Sequence, residues 1–310
     1  MIIRFTYVLI LLLMATTINA QHDAHYTQFM SNKLVLNPAY AGSREAMSVT
    51  ALYRHQWLGL EGSPKTATIS ANVPIVKMNS GLGLSVLYDR IGLSQAYHID
   101  LAYAYGLKLS KNNTLNIGAM ARLEHFGVRW DEADPLNPGD IDIPDGQPNR
   151  FLPDFGIGAY FYNPRFYLGI SVPHLLKNEL YIDDNTNPNS GQYFANQRHA
   201  FLMAGGLVPL STKITMKPAI LLKYQPESPF DVDFNMSFIF LDALWLGATY
   251  RLGSSIDGII QYQFKPQIRL GIAYDYPLND LRVVTPGSLE MMIDYIFKYE
   301  NKEAVNVRFF

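Results

Sequence analysis

Along much of this chain apolar residues occupy every second place. Between 96 and 109, Tyr97, Ile99, Leu101, Tyr103, Tyr105, Leu107 and Leu109 alternate with Ala96, His98, Asp100, Ala102, Ala104, Gly106 and Lys108. From 230 to 240, Phe230, Val232, Phe234, Met236, Phe238 and Phe240 stand against Asp231, Asp233, Asn235 and Ser237. The same alternation runs through Ile268, Leu270, Ile272, Tyr274 and Tyr276, and again from Leu289 to Tyr299. In a strand the two sets point to opposite faces. Fourteen such runs are predicted, near 46–57, 65–75, 81–90, 96–109, 114–130, 154–162, 166–173, 198–209, 214–224, 230–240, 244–252, 258–264, 267–276 and 288–299. The pattern is least regular in the eighth, which holds Gly205 and Gly206, in the ninth, which holds Pro218, and in the short twelfth.

A soluble sandwich also alternates, but three features favour a membrane barrel. The runs are about ten residues or longer, where soluble strands average about five or six. Tyrosine and phenylalanine gather near the run ends, like the aromatic girdles of barrels in lipid. The opposite face is small or charged (Asp100, Arg122, Glu124, Asp231, Arg269), as a wet lumen requires. The fold class is therefore all-β, a transmembrane antiparallel β-barrel of about 14 strands with long extracellular loops. Even strand number puts both barrel ends on one side. Taking that side as periplasmic, the connections 76–80, 110–113, 163–165, 210–213, 241–243 and 265–266 are all short turns. The longest connections, 131–153, 174–197 and 277–287, all fall outside, which is the asymmetry of such barrels.

The ends of the chain read differently. Residues 1–20 form a secretory signal peptide: Arg4, an apolar run from Phe5 to Met14, then small and polar residues to Ala20. That run is short for a membrane anchor, which needs about 20 residues. Residues 21–45 are polar and lack sustained alternation. They form either a periplasmic tail or a plug in the lumen, since a barrel of this size encloses more space than its own side chains fill. Residues 46–310 read as one barrel. The terminal Arg308–Phe309–Phe310 fits a signal for barrel insertion, although the last strand ends about ten residues earlier.

Composition narrows the picture further. The 310 residues include 20 Tyr, 17 Phe and 22 Gly, with only 17% charged. Soluble domains carry about 25% charged residues. Mean hydropathy is near zero, and no repeated apolar runs of about 20 residues occur, so a bundle of membrane helices is excluded. Aromatic and branched residues are too plentiful for disorder. With no cysteine there is no disulfide scaffold, thiolate metal site, thiol nucleophile or acylated lipoprotein cysteine. A net charge of -2 gives no pull towards nucleic acid.

Signs of chemistry are few. No G-x-S-x-G, H-E-x-x-H, P-loop or dinucleotide fingerprint occurs. Gly83–Leu84–Ser85 and Gly169–Ile170–Ser171 lie inside strands, where a nucleophile elbow cannot form. A barrel enzyme would need a Ser–His pair on one face, which the sequence does not display. His22, Asp23 and His25 have metal-ligating side chains but no rigid element to fix them. The loop from Asp131 to Asn149 holds Asp131, Glu132, Asp134, Asp140, Asp142 and Asp145 and no Lys or Arg. Its density suits divalent ions but its spacing is not that of a calcium loop, and a solvated acidic loop is the plainer reading. His98 with Asp100, and Arg122 with Glu124, share a face and predict a luminal salt-bridge network. No catalytic residue, cofactor or metal site is expected.

Several stretches together resemble one family. They are Gln28–Phe29–Met30, Asn37–Pro38–Ala39–Tyr40–Ala41–Gly42–Ser43, Tyr53–Arg54–His55–Gln56–Trp57 and Gly81–Leu82–Gly83–Leu84. Further along come Pro153–Asp154–Phe155–Gly156, Tyr167–Leu168–Gly169–Ile170–Ser171–Val172–Pro173–His174–Leu175 and Leu244–Trp245–Leu246–Gly247–Ala248–Thr249–Tyr250–Arg251. In order and spacing they are similar to the PorP/SprF family of outer-membrane proteins of type IX secretion and gliding machinery. The ending Val307–Arg308–Phe309–Phe310 departs from the family's more usual Arg-Tyr-Phe. The resemblance implies a non-enzymatic barrel in the outer membrane of a Gram-negative bacterium. Implied partners are a secreted adhesin-like surface protein with a C-terminal sorting domain, other secretion components and outer-membrane lipid. Candidate partner contacts are Asn37, Pro38, Tyr40 and Gly42 in the amino-terminal segment, and Trp57, Trp130 and Tyr193 at or near outer loops. Girdle anchoring is the other reading for Trp57 and Trp130. The rival class is a passive channel or hydrophobic-solute transporter.

Overall fold

A computed structural model describes residues 25–44, 46–133, 149–176, 178–182, 192–195, 198–226 and 230–297. Residues 1–20, predicted as a signal peptide, His22 and Asp23, most of the acidic loop (134–148) and the carboxy-terminal tail lie outside the described residues.

Alternation produces the expected strands. They are β1 Ser48–His55, β2 Lys65–Ile75, β3 Ser80–Ile91, β4 Ser94–Lys108, β5 Thr114–Val128, β6 Asn149–Tyr162 and β7 Phe166–Val172. Then come β8 Ala200–Gly206, continued by Val208–Pro209, β9 Ile214–Tyr224, β10 Asp231–Phe240 and β11 Leu244–Arg251. β12 Ser255–Lys265, β13 Ile268–Pro277 and β14 Ser288–Ile296 complete the series. Each pairs antiparallel with its neighbours, and β1 pairs with both β2 and β14. The sheet therefore closes as a 14-stranded barrel with no free edge in the ring.

Burial is inverted relative to a soluble domain. Ile99 and Leu101 are 51% and 59% exposed, while Asp100 between them is 4% exposed. Apolar side chains face outward and polar ones inward on strand after strand, as a lipid-facing wall requires. No helix among the described residues is long and apolar enough to cross a membrane.

Three departures from the expected elements have local causes. β6 starts at Asn149, five positions before the predicted start after Pro153. Its outer part pairs only with β5, because β7 reaches no further than Ile157. A proline is tolerated on such an edge. The break in β8 at Leu207 lies where the register puts Gly206 opposite Pro218. Proline has no N–H to donate, and the ladder resumes beyond it in the same register. The loop after β7 contains a hairpin of its own, Glu179–Ile182 with Gln192–Ala195. Two short β-prone runs flank a stretch rich in Asp, Asn and Pro, which is a hairpin signal below the length of a wall strand.

Residues 25–44 lie inside the barrel. They form a 3-10 turn Phe29–Ser31, one helical turn Lys33–Leu36 and a second 3-10 turn Pro38–Tyr40. Phe29, Leu34, Leu36, Ala39 and Tyr40 are buried against the inner wall. The segment also has a direction. His25 Nδ1 accepts from Lys223 Nζ at 3.0 Å, near the outer ends of β9 and β10. Arg44 meets Asp294 near the periplasmic end of β14. The chain thus descends from the outer mouth to the start of β1. Because the protein has no cysteine, single substitutions test this directly. His25→Cys is expected to react with a membrane-impermeant maleimide added to intact cells. Met47→Cys, exposed at the other rim, is expected to react only after the outer membrane is permeabilised. The reverse pattern would show the segment, or the barrel, inverted.

Candidate functional site

The luminal segment is too short and irregular to satisfy its own backbone, so the polar inner wall must do so. At the outer level Glu290 accepts from the backbone N–H groups of Thr27 and Gln28, each at 2.8 Å. Thr27 Oγ1 donates to Asp275 Oδ1 at 2.6 Å and accepts from Arg54 Nη1 at 2.7 Å. Arg54 also pairs with Asp275 at 2.6 Å. Four charged or polar side chains from three strands and the segment thus close one network.

Half-way down, Asn37 makes the central contact. Its Nδ2 donates to the carbonyls of Ala159 and Ile170 at 3.1 and 3.3 Å, and its Oδ1 accepts from Ala39 N–H. One side chain therefore caps a turn and bonds two wall strands. Lys33 lies 4.2 Å from the centre of the Tyr167 ring and 5.1 Å from that of Tyr40, within cation–π range. Tyr40 stands edge-on to Tyr160 at 5.4 Å. At the periplasmic level Arg44 forks onto Asp294 at 2.7 and 2.9 Å, and Asp294 also accepts from Thr50 and Arg269.

Backbone contact explains the Gly81–Leu82–Gly83–Leu84 stretch. Gly42 has φ +78°, and a side chain at Gly81 would begin 2.3 Å from the Gly42 backbone. Gly81→Val is expected to expel the lower end of the segment, at a cost of about 1–3 kcal/mol or more. New protease cleavage between residues 40 and 47, with the barrel still intact by gel shift, would report it.

Of the candidate contacts, Asn37, Pro38, Tyr40 and Gly42 thus hold the segment inside the barrel, and the first three are buried. The other three lie on the outer side. Trp57 follows β1 with φ +52°, its N–H donating to Ser288 Oγ. Trp130 opens a 3-10 turn after β5. Tyr193 sits opposite Tyr181 in the outer hairpin.

The expected salt-bridge face is present and larger than its sequence showed. Arg122 forks onto Asp100, its register partner, at 2.6 and 2.8 Å. It also donates to His174 Nε2 at 2.6 Å, and His174 Nδ1 donates to Asp154 at 2.9 Å. Asp154 further accepts from the N–H groups of Phe155, Leu175 and Leu176. Two separated stretches, around Asp154 and around His174, are joined here. Sequence reading missed Arg44, Arg54, Glu290 and Asp294. Their signal was available: charges at alternate inward positions of the last strand need partners when buried.

Catalytic geometry is incomplete. His55 Nε2 and Ser63 Oγ lie 3.1 Å apart, a pair the sequence did not reveal. Among the described residues no carboxylate is bonded to the other ring nitrogen, so the third member that orients such a base is missing. No group of three or more metal-ligating side chains occurs among the described residues.

A closed, lipid-facing barrel with a polar interior occupied by its own chain defines an integral protein of the Gram-negative outer membrane. Within that class the chain belongs to the type IX secretion system membrane protein PorP/SprF family, whose model matches residues 18–295. No curated protein matches. Among solved structures it resembles the CymD monoaromatic hydrocarbon channel, at 12% identity and TM-score 0.51, covering 92% of this chain and 95% of that one. It also resembles Acinetobacter baumannii Omp33, at 13% identity and TM-score 0.45 over 81% of this chain and 98% of the other. A Pseudomonas aeruginosa FadL homologue matches at 11% identity and TM-score 0.44 over 82% and 89%. At these identities the likeness is one of fold.

Proposed function

We propose that the protein is a non-enzymatic docking component of the type IX machinery. It assists secretion or surface anchoring of a large adhesin-like client, or links machine parts to the outer membrane. The observation that supports this reading most is the luminal segment: bonded at three levels, it leaves the wall and loops, not the bore, as the working surface. Docking falls to the outer loops, with Trp57, Trp130 and Tyr193 as contacts. Aromatic side chains of this kind carry much of the energy at protein interfaces.

The rival reading is a passive channel or hydrophobic-solute transporter, favoured by the fold shared with CymD. In-cell crosslinking followed by purification of the tagged protein separates the two. Recovery of a large surface protein or a secretion component, reduced when Trp57, Trp130 and Tyr193 are replaced by alanine, supports docking. A chain that crosslinks to no protein, and that conducts reproducibly in planar bilayers, would overturn it.

A further inference from the structure

The two rims of the barrel differ in charge. On the outer side cations and anions are mixed and paired: Arg90 and Arg129 both meet Glu132. On the periplasmic side the short turns carry cations almost alone. Lys77 lies between β2 and β3, Lys111 between β4 and β5, Arg165 between β6 and β7, Lys213 between β8 and β9, and Lys265 at the end of β12. Lys108, at the end of β4, adds another. Asp242, between β10 and β11, is the one acid in these turns. All these charged side chains are exposed, and none of the cations forms an ion pair among the described residues. A rim of one sign attracts anions from its surroundings.

Local chemistry leaves these side chains free to project. Asn163 Oδ1 accepts from the N–H groups of Arg165 and Phe166, and Ser211 Oγ from those of Lys213 and Ile214. The turns are thus held by their own short polar side chains, and the cations are not needed for that. Each cation also has an exposed apolar neighbour. Val76 and Met78 flank Lys77, Leu109 stands two places before Lys111, and Phe166 follows Arg165. Leu210 shares the turn of Lys213, and Phe264 precedes Lys265. An apolar residue beside a long cation suits the boundary of a bilayer, where the stem lies along hydrocarbon and the charge reaches the headgroups. The cations also encircle the barrel, since every periplasmic turn except 241–243 has one. A globular partner would meet one arc of such a ring, whereas an annulus of lipid meets all of it.

We propose that this rim binds anionic phospholipid, with the phosphate groups of the inner leaflet drawn to Lys77, Lys111, Arg165, Lys213 and Lys265. The acyl chains lie on the apolar neighbours and on the wall beyond them. This surface is independent of client docking at the outer loops and does not stand or fall with it.

Full-length protein reconstituted in phosphatidylcholine bilayers, with a trace of spin-labelled phosphatidylglycerol or spin-labelled phosphatidylcholine, tests the proposal. The motionally restricted part of the spectrum gives the relative affinity of the two lipids for the protein surface. Phosphatidylglycerol is expected to be held about fivefold more tightly, the effect of one cation near an anionic headgroup. High salt should weaken that preference, because exposed charges are screened. A chain carrying Lys77→Gln, Lys111→Gln, Arg165→Gln, Lys213→Gln and Lys265→Gln together should bring the ratio towards one. A heat-dependent gel shift shows whether that chain is folded, and if it is not, the salt dependence of the intact protein decides. Equal affinity of the two lipids for the intact protein, a preference indifferent to salt, or one untouched by the five substitutions would each overturn the assignment. So would saturable capture of a glutamate-rich peptide in pure phosphatidylcholine without any preference for phosphatidylglycerol, which would mark the rim as a surface for protein instead.

Discussion

A protein lacking residues 26–44 is expected to conduct ions in a planar bilayer, and the full-length protein is not. The argument is geometric. A 14-stranded ring is wider than its inward side chains can fill, and here the centre is filled by Phe29, Leu34, Ala39 and Tyr40. Gly81 and Gly118 show how close the filling is: a Cβ on either would start 2.3 or 2.5 Å from the segment's backbone. Removing the segment also strips partners from Glu290, Asp294 and Asn116. Those groups would be rehydrated, so the bore left behind would be wet and charged. The wall itself should survive, because every strand keeps both neighbours. The expected record is a stable open state in the deletion variant against a silent full-length protein. A deletion variant that is folded and silent would show that something other than this segment closes the barrel.

The second large effect is expected at Asp294. Its carboxylate is 1% exposed and accepts from Arg44, Arg269 and Thr50. Asp294→Ala takes that carboxylate from two buried guanidinium groups at once. Removing one partner from a buried pair typically costs about 3–5 kcal/mol, since the remaining charge has lost its compensation. Arg44→Ala should cost clearly less, because Arg269 and Thr50 still hold Asp294. Heat-dependent gel shift, or urea unfolding of detergent-solubilised protein, would rank the two. Equal losses would mean that the carboxylate matters to the structure only through Arg44.

The wall was legible because each strand repeats a two-sided choice. Lipid on one side and polar packing on the other write the same alternation into Tyr97–Leu109 and Leu289–Tyr299. The alternation put His98, Asp100, Arg122 and Glu124 on the inner face, but that Asp100 and Arg122 are register partners came only with the pairing of the strands. The luminal segment was not legible in this way. Its turns are three or four residues long, below any period that a pattern can reveal. Its anchors are also remote, as Arg44 and Asp294 are 250 positions apart. The outer hairpin escaped notice for a related reason, since four-residue strands do not establish an alternation. Of the candidate contacts, the Asn37–Gly42 stretch stood out in the sequence, but only the packing showed that it faces the wall from inside. A cavity beside the segment leaves no sequence trace, because Leu87, His98, Glu124 and Phe201 come together only when four strands close around the segment.

Deleting the gene and comparing the proteins on the cell surface and in the medium tests the docking role most directly. Loss of one large surface protein is the result expected of a dedicated partner, and loss of many secreted proteins that of a shared machine part. Either should be restored by the intact gene. A surface and medium profile unchanged by the deletion would contradict the account.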